Sequence, residues 1–348
     1  MSGSQPVDAD TQPPGFDYGE IAPLFEDEAV KEGHISFGPL DPVFENYVRW
    51  KKQLAEAMGL TYLVENRVIN SFGDGARIND NELNLIARWE AVSSPRLGTH
   101  ALSVWGQFAQ SVGHVTGTEF QADLGILSPL CGCNGGPGNT NEILQMLGNN
   151  TVAPYTALLG LGVFGQWKSK TWYLSGLVRA TDTETGLSAD ALNRGDLAFV
   201  AEFAVTPTIP DLGYGEYRIT YSFDEAADMR PAVSTIGFSF DQDIGDRVGA
   251  FFKFNVANET FRAFDQQLAA GFQLKKPFGY EHDRFGFGVW WGNPANDGQA
   301  PETGTELFYK AQIRPFLEVT PNVQLVFNPV NSTKSVEAVA GLRLRGTL

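Results

Sequence analysis

The sequence has little cysteine and histidine and no long apolar run. Two cysteines and four histidines occur among 348 residues. Two cysteines leave no second pair for a four-cysteine zinc site, and the histidines are scattered, so we predict no metal site. No window approaches the roughly 18 consecutive apolar residues that a membrane-spanning helix requires. These absences disfavour metal-dependent chemistry and helical membrane proteins.

Recognised catalytic motifs are missing as well. The sequence contains no Gly-x-Ser-x-Gly elbow, no phosphate-binding loop and no His-Glu-x-x-His helix motif. Cys131 and Cys133 lie in a stretch rich in glycine and asparagine, where a structural loop is favoured over a metal or redox site. We therefore predict that the protein is not an enzyme and needs no cofactor.

The first 40 residues differ in composition from the rest of the chain. They hold eight acidic side chains and one basic side chain, Lys31, without sustained periodicity, which is typical of a flexible tail. Residues 1–8 have neither the basic nor the apolar region of a signal peptide, so we expect the mature form of an exported protein. The formal net charge of −16 disfavours a nucleic-acid partner.

Residues 41–58 carry the signature of a short amphipathic helix. Asp41 can cap its start, Pro42 fits the first helical position, and Gly59 provides a stop. Apolar side chains recur at helical spacing between these two ends. We expect this helix to pack against, or just inside, one end of the main fold. A helix that binds a partner is the alternative.

From residue 59 to residue 348 the dominant pattern is alternation with a period of two. Leu307, Tyr309 and Ala311 fall on one face of a candidate strand, and Glu306 and Lys310 fall on the other. Fourteen such segments can be read along this part of the chain, each predicting an extended strand. A soluble sandwich would bury the apolar faces. A membrane barrel instead turns them to lipid and lines a lumen with the polar faces.

The connections between the candidate strands alternate in length. The short connections are residues 93–96, 167–170, 207–213, 243–246 and 320–321, and the longer polar ones are 71–80, 182–196, 224–231, 257–265 and 293–304. Such alternation is typical of an up-and-down antiparallel barrel of the outer membrane. Parity requires either no strand or two strands within 110–155. The prediction is therefore an all-β transmembrane barrel of sixteen strands, with fourteen as the alternative.

The polar face of the candidate strands is rich in charge. Ten basic and five acidic side chains are predicted to point inward, although the whole chain is acidic. Arginine can donate to several hydroxyls and glutamate can accept from them, which suits sugars. For any single residue, a structural salt bridge is the competing interpretation. The residues predicted to line the narrow part of the lumen are Arg88, Glu90, Arg179, Glu202, Arg218, Lys253, Lys310, Arg314, Trp105 and Tyr173.

Several sequence blocks lie in the C-terminal half of the chain. They are Glu306-Leu-Phe-Tyr309, the stretch from Ala311 to Pro329, Gly286-Phe-Gly-Val-Trp290, Ala201-Glu-Phe203, and the stretch from Ala338 to Arg345. Over about residues 197–348 these blocks resemble the carbohydrate-selective porin (OprB) family. The resemblance implies a sixteen-stranded outer-membrane barrel through which sugars diffuse down a gradient. It also implies that arginine and glutamate side chains contact the solute at a constriction.

The expected function is that of a passive outer-membrane channel for small hydrophilic solutes, with sugars favoured. We expect outer-membrane lipid to surround the barrel. We also expect the barrel to be either a homotrimer or a monomer. One alternative is a plugged barrel that serves as an envelope anchor or adhesin. The other is a soluble β-rich carbohydrate-binding protein. Single-channel recording separates the first two, and solubility without detergent identifies the third.

Overall fold

The computed structural model describes residues 33–35, 38, 41–74, 76–94, 98–111, 124, 162–168, 171–180, 197–224, 232–258, 264–296 and 298–348. Within these residues the structure has one long helix and fifteen strands. Helix α1 spans Asp41–Met58, as the capping signals predict. The strands are β1 Leu60–Gly73, β2 Ala76–Ser94, β3 Gly98–Ser111, β4 Gly162–Lys168, β5 Trp172–Ala180, β6 Leu197–Val205, β7 Thr208–Ile209, β8 Gly213–Asp224, β9 Val233–Ile244, β10 Val248–Ala257, β11 Phe264–Lys275, β12 Arg284–Pro294, β13 Glu302–Arg314, β14 Leu317–Phe327 and β15 Val336–Thr347.

Fourteen of these strands form a ring of antiparallel pairings. Consecutive long strands pair along the chain, with β6 pairing directly to β8 because β7 has two residues and pairs only with β8. The first strand, β1, pairs with the last, β15. Every long strand therefore has a neighbour on each side, which is the arrangement of an up-and-down barrel.

The described strands support a count of fourteen rather than sixteen. Thr99 of β3 pairs directly with Gln166 of β4, which leaves no place in the ring for two further strands between them. Residues 112–123 and 125–161, where the extra strands were predicted, lie outside the described residues. The alternative count of the sequence analysis is thus the one that the pairings favour.

Side-chain burial along the strands is inverted relative to a soluble sandwich. In β6 the outward side chains Phe199 and Phe203 are exposed, whereas Glu202 is buried on the inner face. In β13 the acidic side chains Glu302 and Glu306 on the inner face are buried, and Leu307 on the outer face is exposed. The alternation that the sequence shows therefore places apolar residues outside and polar residues inside. This is the arrangement of a membrane barrel.

The connections sort into two ends of the barrel, as predicted, with two corrections. The connection between β1 and β2 is residues 74–75 rather than 71–80, because both strands extend further than their apolar alternation does. The predicted turn at residues 320–321 is wrong, since Pro321 lies inside β14 and the chain turns at Pro315 and Phe316. We call the end with the β2–β3, β4–β5, β9–β10 and β13–β14 turns the short-turn end, and the opposite end the long-loop end.

Pro321 has a visible effect on the strand ladder. Phe308 pairs with Asn322 and Ala311 pairs with Val319, but no pair joins β13 and β14 between these positions. Proline has no backbone N–H to donate to a ladder. On the other side of β14 the register with β15 is continuous through Pro321. A proline inside a strand is thus accommodated by a local gap in one ladder.

The chain before the helix contacts the short-turn end. The backbone N–H groups of His34 and Ile35 donate to the carbonyls of Gln312 and Ile313 at 2.9 Å and 3.0 Å. The His34 ring stacks on Tyr280, and its Nε2 lies 2.8 Å from a carboxylate oxygen of Asp283, which is fully buried. Of the predicted acidic tail, residues 33–35 and 38 are described.

No helix within the described part of the chain combines the length and the apolar character needed to cross a membrane.

Candidate functional site

Charged side chains face the interior of the barrel and are buried there. Twelve of them, on the strands, are at most 9% exposed: Glu65, Glu202, Glu302, Glu306, Glu318, Glu337, Arg67, Arg218, Lys253, Lys310, Arg343 and Arg345. Six of these are acidic and six are basic. The basic excess that the alternation predicts is therefore absent among them.

The first group of interior charges, the Glu65 cluster, lies where the first and last strands meet. Arg67 of β1 and Arg345 of β15 are direct cross-strand neighbours, a placement that like charges normally avoid. The Glu65 carboxylate contacts both guanidinium groups, at 2.9 Å from Arg67 Nε and 2.5 Å from Arg345 Nε. Arg345 Nη1 also donates to Glu318 at 3.1 Å, and Lys310 Nζ lies 3.8 Å from the same carboxylate. Opposite charges thus alternate across four adjacent strands.

The second group, the Tyr173 cluster, spans β5, β6, β8 and β9. Tyr173 Oη lies 2.8 Å from a carboxylate oxygen of Glu202 and 2.8 Å from one of Glu216. A phenol carries a single proton, so it donates to one of these oxygens at a time. Arg218 lies 3.8 Å from Glu216 and donates to Asp241 at 2.8 Å. One hydroxyl and one guanidinium therefore bring together three carboxylates, of which Glu202 is buried and Asp241 is partly exposed.

Replacing Tyr173 with phenylalanine is expected to lower the free energy of unfolding by about 1.5–3 kcal/mol, because a hydrogen bond to a buried carboxylate is lost. Urea unfolding of the folded barrel measures this change. The matched control is Tyr221→Phe, since the Tyr221 hydroxyl is exposed and makes a long bond of 3.4 Å to Ser234. Equal effects of the two substitutions would contradict the role assigned to the Tyr173 hydroxyl.

The two clusters lie on opposite sides of the ring. Because β7 is outside the ring, β8 is its seventh strand and β15 its fourteenth, so the clusters are half the ring apart. Lys253 of β10 extends the Tyr173 side, since it pairs in register with Ser239, which accepts a hydrogen bond from Arg218 at 3.1 Å. A solute passing through the lumen would have charged groups on two facing walls.

The remaining predicted site residues lie at the short-turn end, or their side chains are not among those that the structure describes. Arg88 and Glu90 form an ion pair of 3.1 Å near the short-turn end of β2. Arg314 is the last residue of β13, also at the short-turn end. The side chains of Arg179 and Trp105 lie outside the described residues. The predicted residues that are described thus form two interior groups and a separate set at the short-turn end.

Sequence reasoning missed three of the buried interior carboxylates. Glu65 has the same strand parity as Arg67, so the alternation already contained the signal for it. Glu302 was missed because the predicted strand begins at residue 305, whereas β13 begins at Glu302. Glu318 was missed because it is the last residue of a predicted strand, whereas the structure places it near the start of β14. These three carboxylates account for part of the difference between the expected basic excess and the observed balance. The rest arises because four predicted basic and two predicted acidic side chains are not among the twelve buried charges.

Within the described residues, no group of three or more histidine, cysteine, aspartate and glutamate side chains is placed to hold a metal ion. Cys131 and Cys133 lie outside those residues.

The fold is that of a porin. The solved high-pH structure of Pseudomonas putida OprB resembles this chain with a TM-score of 0.67 at 14% identity, covering 87% of this chain and 97% of that chain. The low-pH structure of the same protein gives a TM-score of 0.52 at 15% identity with the same coverage. At such identities the likeness is one of fold.

A family comparison extends the likeness to sequence. Residues 211–348 match the model of the carbohydrate-selective porin, OprB family. This match confirms the resemblance inferred from the sequence blocks and falls within the stretch that carries them. A comparison with curated proteins gave no match.

Proposed function

We propose that this chain is a passive channel of the bacterial outer membrane that admits small hydrophilic solutes and prefers carbohydrates. The observation that carries the proposal is the inverted burial of the barrel wall, with apolar side chains exposed outside and charged side chains inside. Lipid around the barrel would make the exposed face favourable, because no water would contact it. The match of residues 211–348 to the carbohydrate-selective porin family supports sugars as the solute class.

The interior chemistry supports a neutral, hydroxyl-rich solute. Arginine and glutamate on facing walls can donate to and accept from hydroxyl groups without covalent chemistry. The six acidic and six basic side chains that are most deeply buried balance one another, so these twelve groups together carry no net charge that would favour one sign of ion. Solute selection would then follow from lumen width and hydrogen bonding.

The decisive experiment is insertion of the purified chain into planar lipid bilayers. We expect steady ohmic current steps, together with sugar-dependent swelling of liposomes that contain the protein. Neutralising Arg218, Lys253 and Lys310 together should slow sugar-driven swelling and shift ion selectivity toward cations. A unit charge at 4 Å in water contributes about 1 kcal/mol, roughly fivefold in the partition of a small ion.

The matched control for this triple variant neutralises three cations outside the strands, Lys52, Arg247 and Lys276. Both variants are first checked for heat-modifiable migration on gels, which reports a closed barrel. Unchanged flux and selectivity in the interior variant would remove those residues from the site. If the chain stays monodisperse in buffer without detergent and gives no current, the proposal that it is a membrane channel is wrong.

A plugged barrel is the second candidate, and one observation favours it. Glu65 and Arg67 on the inner wall are 0% exposed, whereas a wide water-filled lumen would leave such side chains accessible. A plugged barrel would show no steady open state in single-channel recording until the N-terminal residues are cut away. An open channel in the intact chain would exclude it.

A further inference from the structure

Helix α1 carries large apolar side chains that are more than half exposed. Val43, Trp50 and Met58 are 59%, 51% and 61% exposed. They recur at intervals of seven and eight residues, which places them on one stripe of the helix surface. Val48 and Lys51 lie on the adjacent stripe and are buried, and the Lys51 ammonium lies over the ring of Tyr62 in β1. The apolar surface of the helix is thus half packed and half exposed.

The exposed stripe is continuous with the apolar outer face of the barrel. The Trp50 ring lies 6.0 Å from the ring of Tyr62, which pairs in register with Ala87 on the outward side of β1 and β2. Trp89, another outward residue of β2, donates its indole N–H to the Met58 carbonyl at 3.1 Å. The helix therefore meets the wall on its outer side, next to side chains that face away from the lumen.

The position of the helix along the barrel axis is also fixed, because the helix is joined directly to the start of β1. Gly59 alone separates Met58 from the first residue of β1. It adopts a left-handed backbone with φ of 64°, which lets the chain leave the helix and enter the strand within one residue. The Lys51 ammonium lies 4.9 Å from the centroid of the Tyr62 ring, a cation–π contact that fastens the helix further. The start of β1 thus fixes where the helix lies.

We propose that α1 is an interfacial anchor whose stripe of Val43, Trp50 and Met58 lies in the phospholipid boundary at the short-turn end. The proposal rests on the membrane location proposed above. Tryptophan and tyrosine favour this boundary because their rings have an apolar body and a polar edge. An amphipathic helix in that plane buries its apolar stripe and leaves its charged face in water.

The test uses the full chain in liposomes that contain brominated phosphatidylcholine, a quencher of tryptophan fluorescence. The emission of Trp50 is obtained as the difference between the natural chain and Trp50→Phe. We expect lipid brominated near the headgroup to quench this emission more strongly than lipid brominated near the chain end. Aqueous iodide should quench it weakly. Retained heat-modifiable migration shows that the conservative variant still folds.

Trp291→Phe is the matched control, since Trp291 lies on the outward face of β12 and pairs with Leu268 of β11. Quenching of Trp291 by bromolipid with Trp50 quenched only by iodide would overturn the anchor and leave the membrane location intact. Shielding of Trp50 from both quenchers would also overturn it, because another protein surface would then cover the stripe. Failure of bromolipid to quench Trp291 would remove the membrane location and the anchor together.

Discussion

Replacing Glu65 with glutamine is expected to lower the free energy of unfolding by about 3–5 kcal/mol. The substitution keeps the size of the side chain but removes the negative charge between Arg67 and Arg345. These two arginines are directly paired and at most 1% exposed. They would then face each other without water to screen them. Urea-induced unfolding and refolding in the same lipid or detergent measures the change.

The control for this prediction is a carboxylate in an exposed ion pair. Glu281, in the connection between β11 and β12, lies 2.5 Å from Lys276. The hydrogen bond from Lys276 holds the pKa of Glu281 below its ordinary value. Because this pair is well solvated, Glu281→Gln is expected to cost about 0–1 kcal/mol. If Glu65→Gln lowers the free energy of unfolding no more than this control does, the Glu65 cluster does not stabilise the pairing of β1 with β15.

Replacing Val289 with arginine is expected to destabilise the inserted barrel by about 2–4 kcal/mol. Val289 is the middle residue of β12, points outward and is 40% exposed. If lipid surrounds the barrel, the new guanidinium has to reach the interface or be desolvated in the hydrocarbon. Urea titration of the barrel refolded in liposomes gives the free energy.

Val336 provides a control of the same residue type and exposure. It is also 40% exposed but is the first residue of β15, at the long-loop end. Arginine near the interface costs about 0–1 kcal/mol, so Val336→Arg should have little effect. Similar small costs at both positions would mean that water, rather than lipid, covers the middle of the outer face.

The sequence predicts the strands well because each one buries a single face. Fourteen segments with a period of two correspond to the fourteen strands of the ring. The errors occur where another interaction replaces that pattern. Near the long-loop end of β1 and β2, Asn79 donates to Asn70 at 2.6 Å across the outward face. Such polar pairs continue the strands where the apolar alternation stops, so these residues resemble a loop.

The interior site was harder to predict than the strands. Alternation shows that Arg218 and Glu202 point inward, but it does not show which side chains meet. That depends on the register, which places Tyr173 and Arg218 both opposite Ala204 of β6. A shift by one residue would turn each side chain to the other face. The division of the predicted residues between two facing clusters therefore required the structure.

The pairing of the first strand with the last has a kinetic consequence. Val64 and Leu348 exchange two backbone hydrogen bonds of 2.8 Å, so the β1–β15 pairing that closes the ring continues beyond β15. Until that strand arrives, β1 and β14 each present an unpaired edge that can capture another chain. Contacts this remote in sequence also slow the search for the native arrangement. Correct assembly of the whole wall therefore waits on β15, the last strand of the ring in chain order.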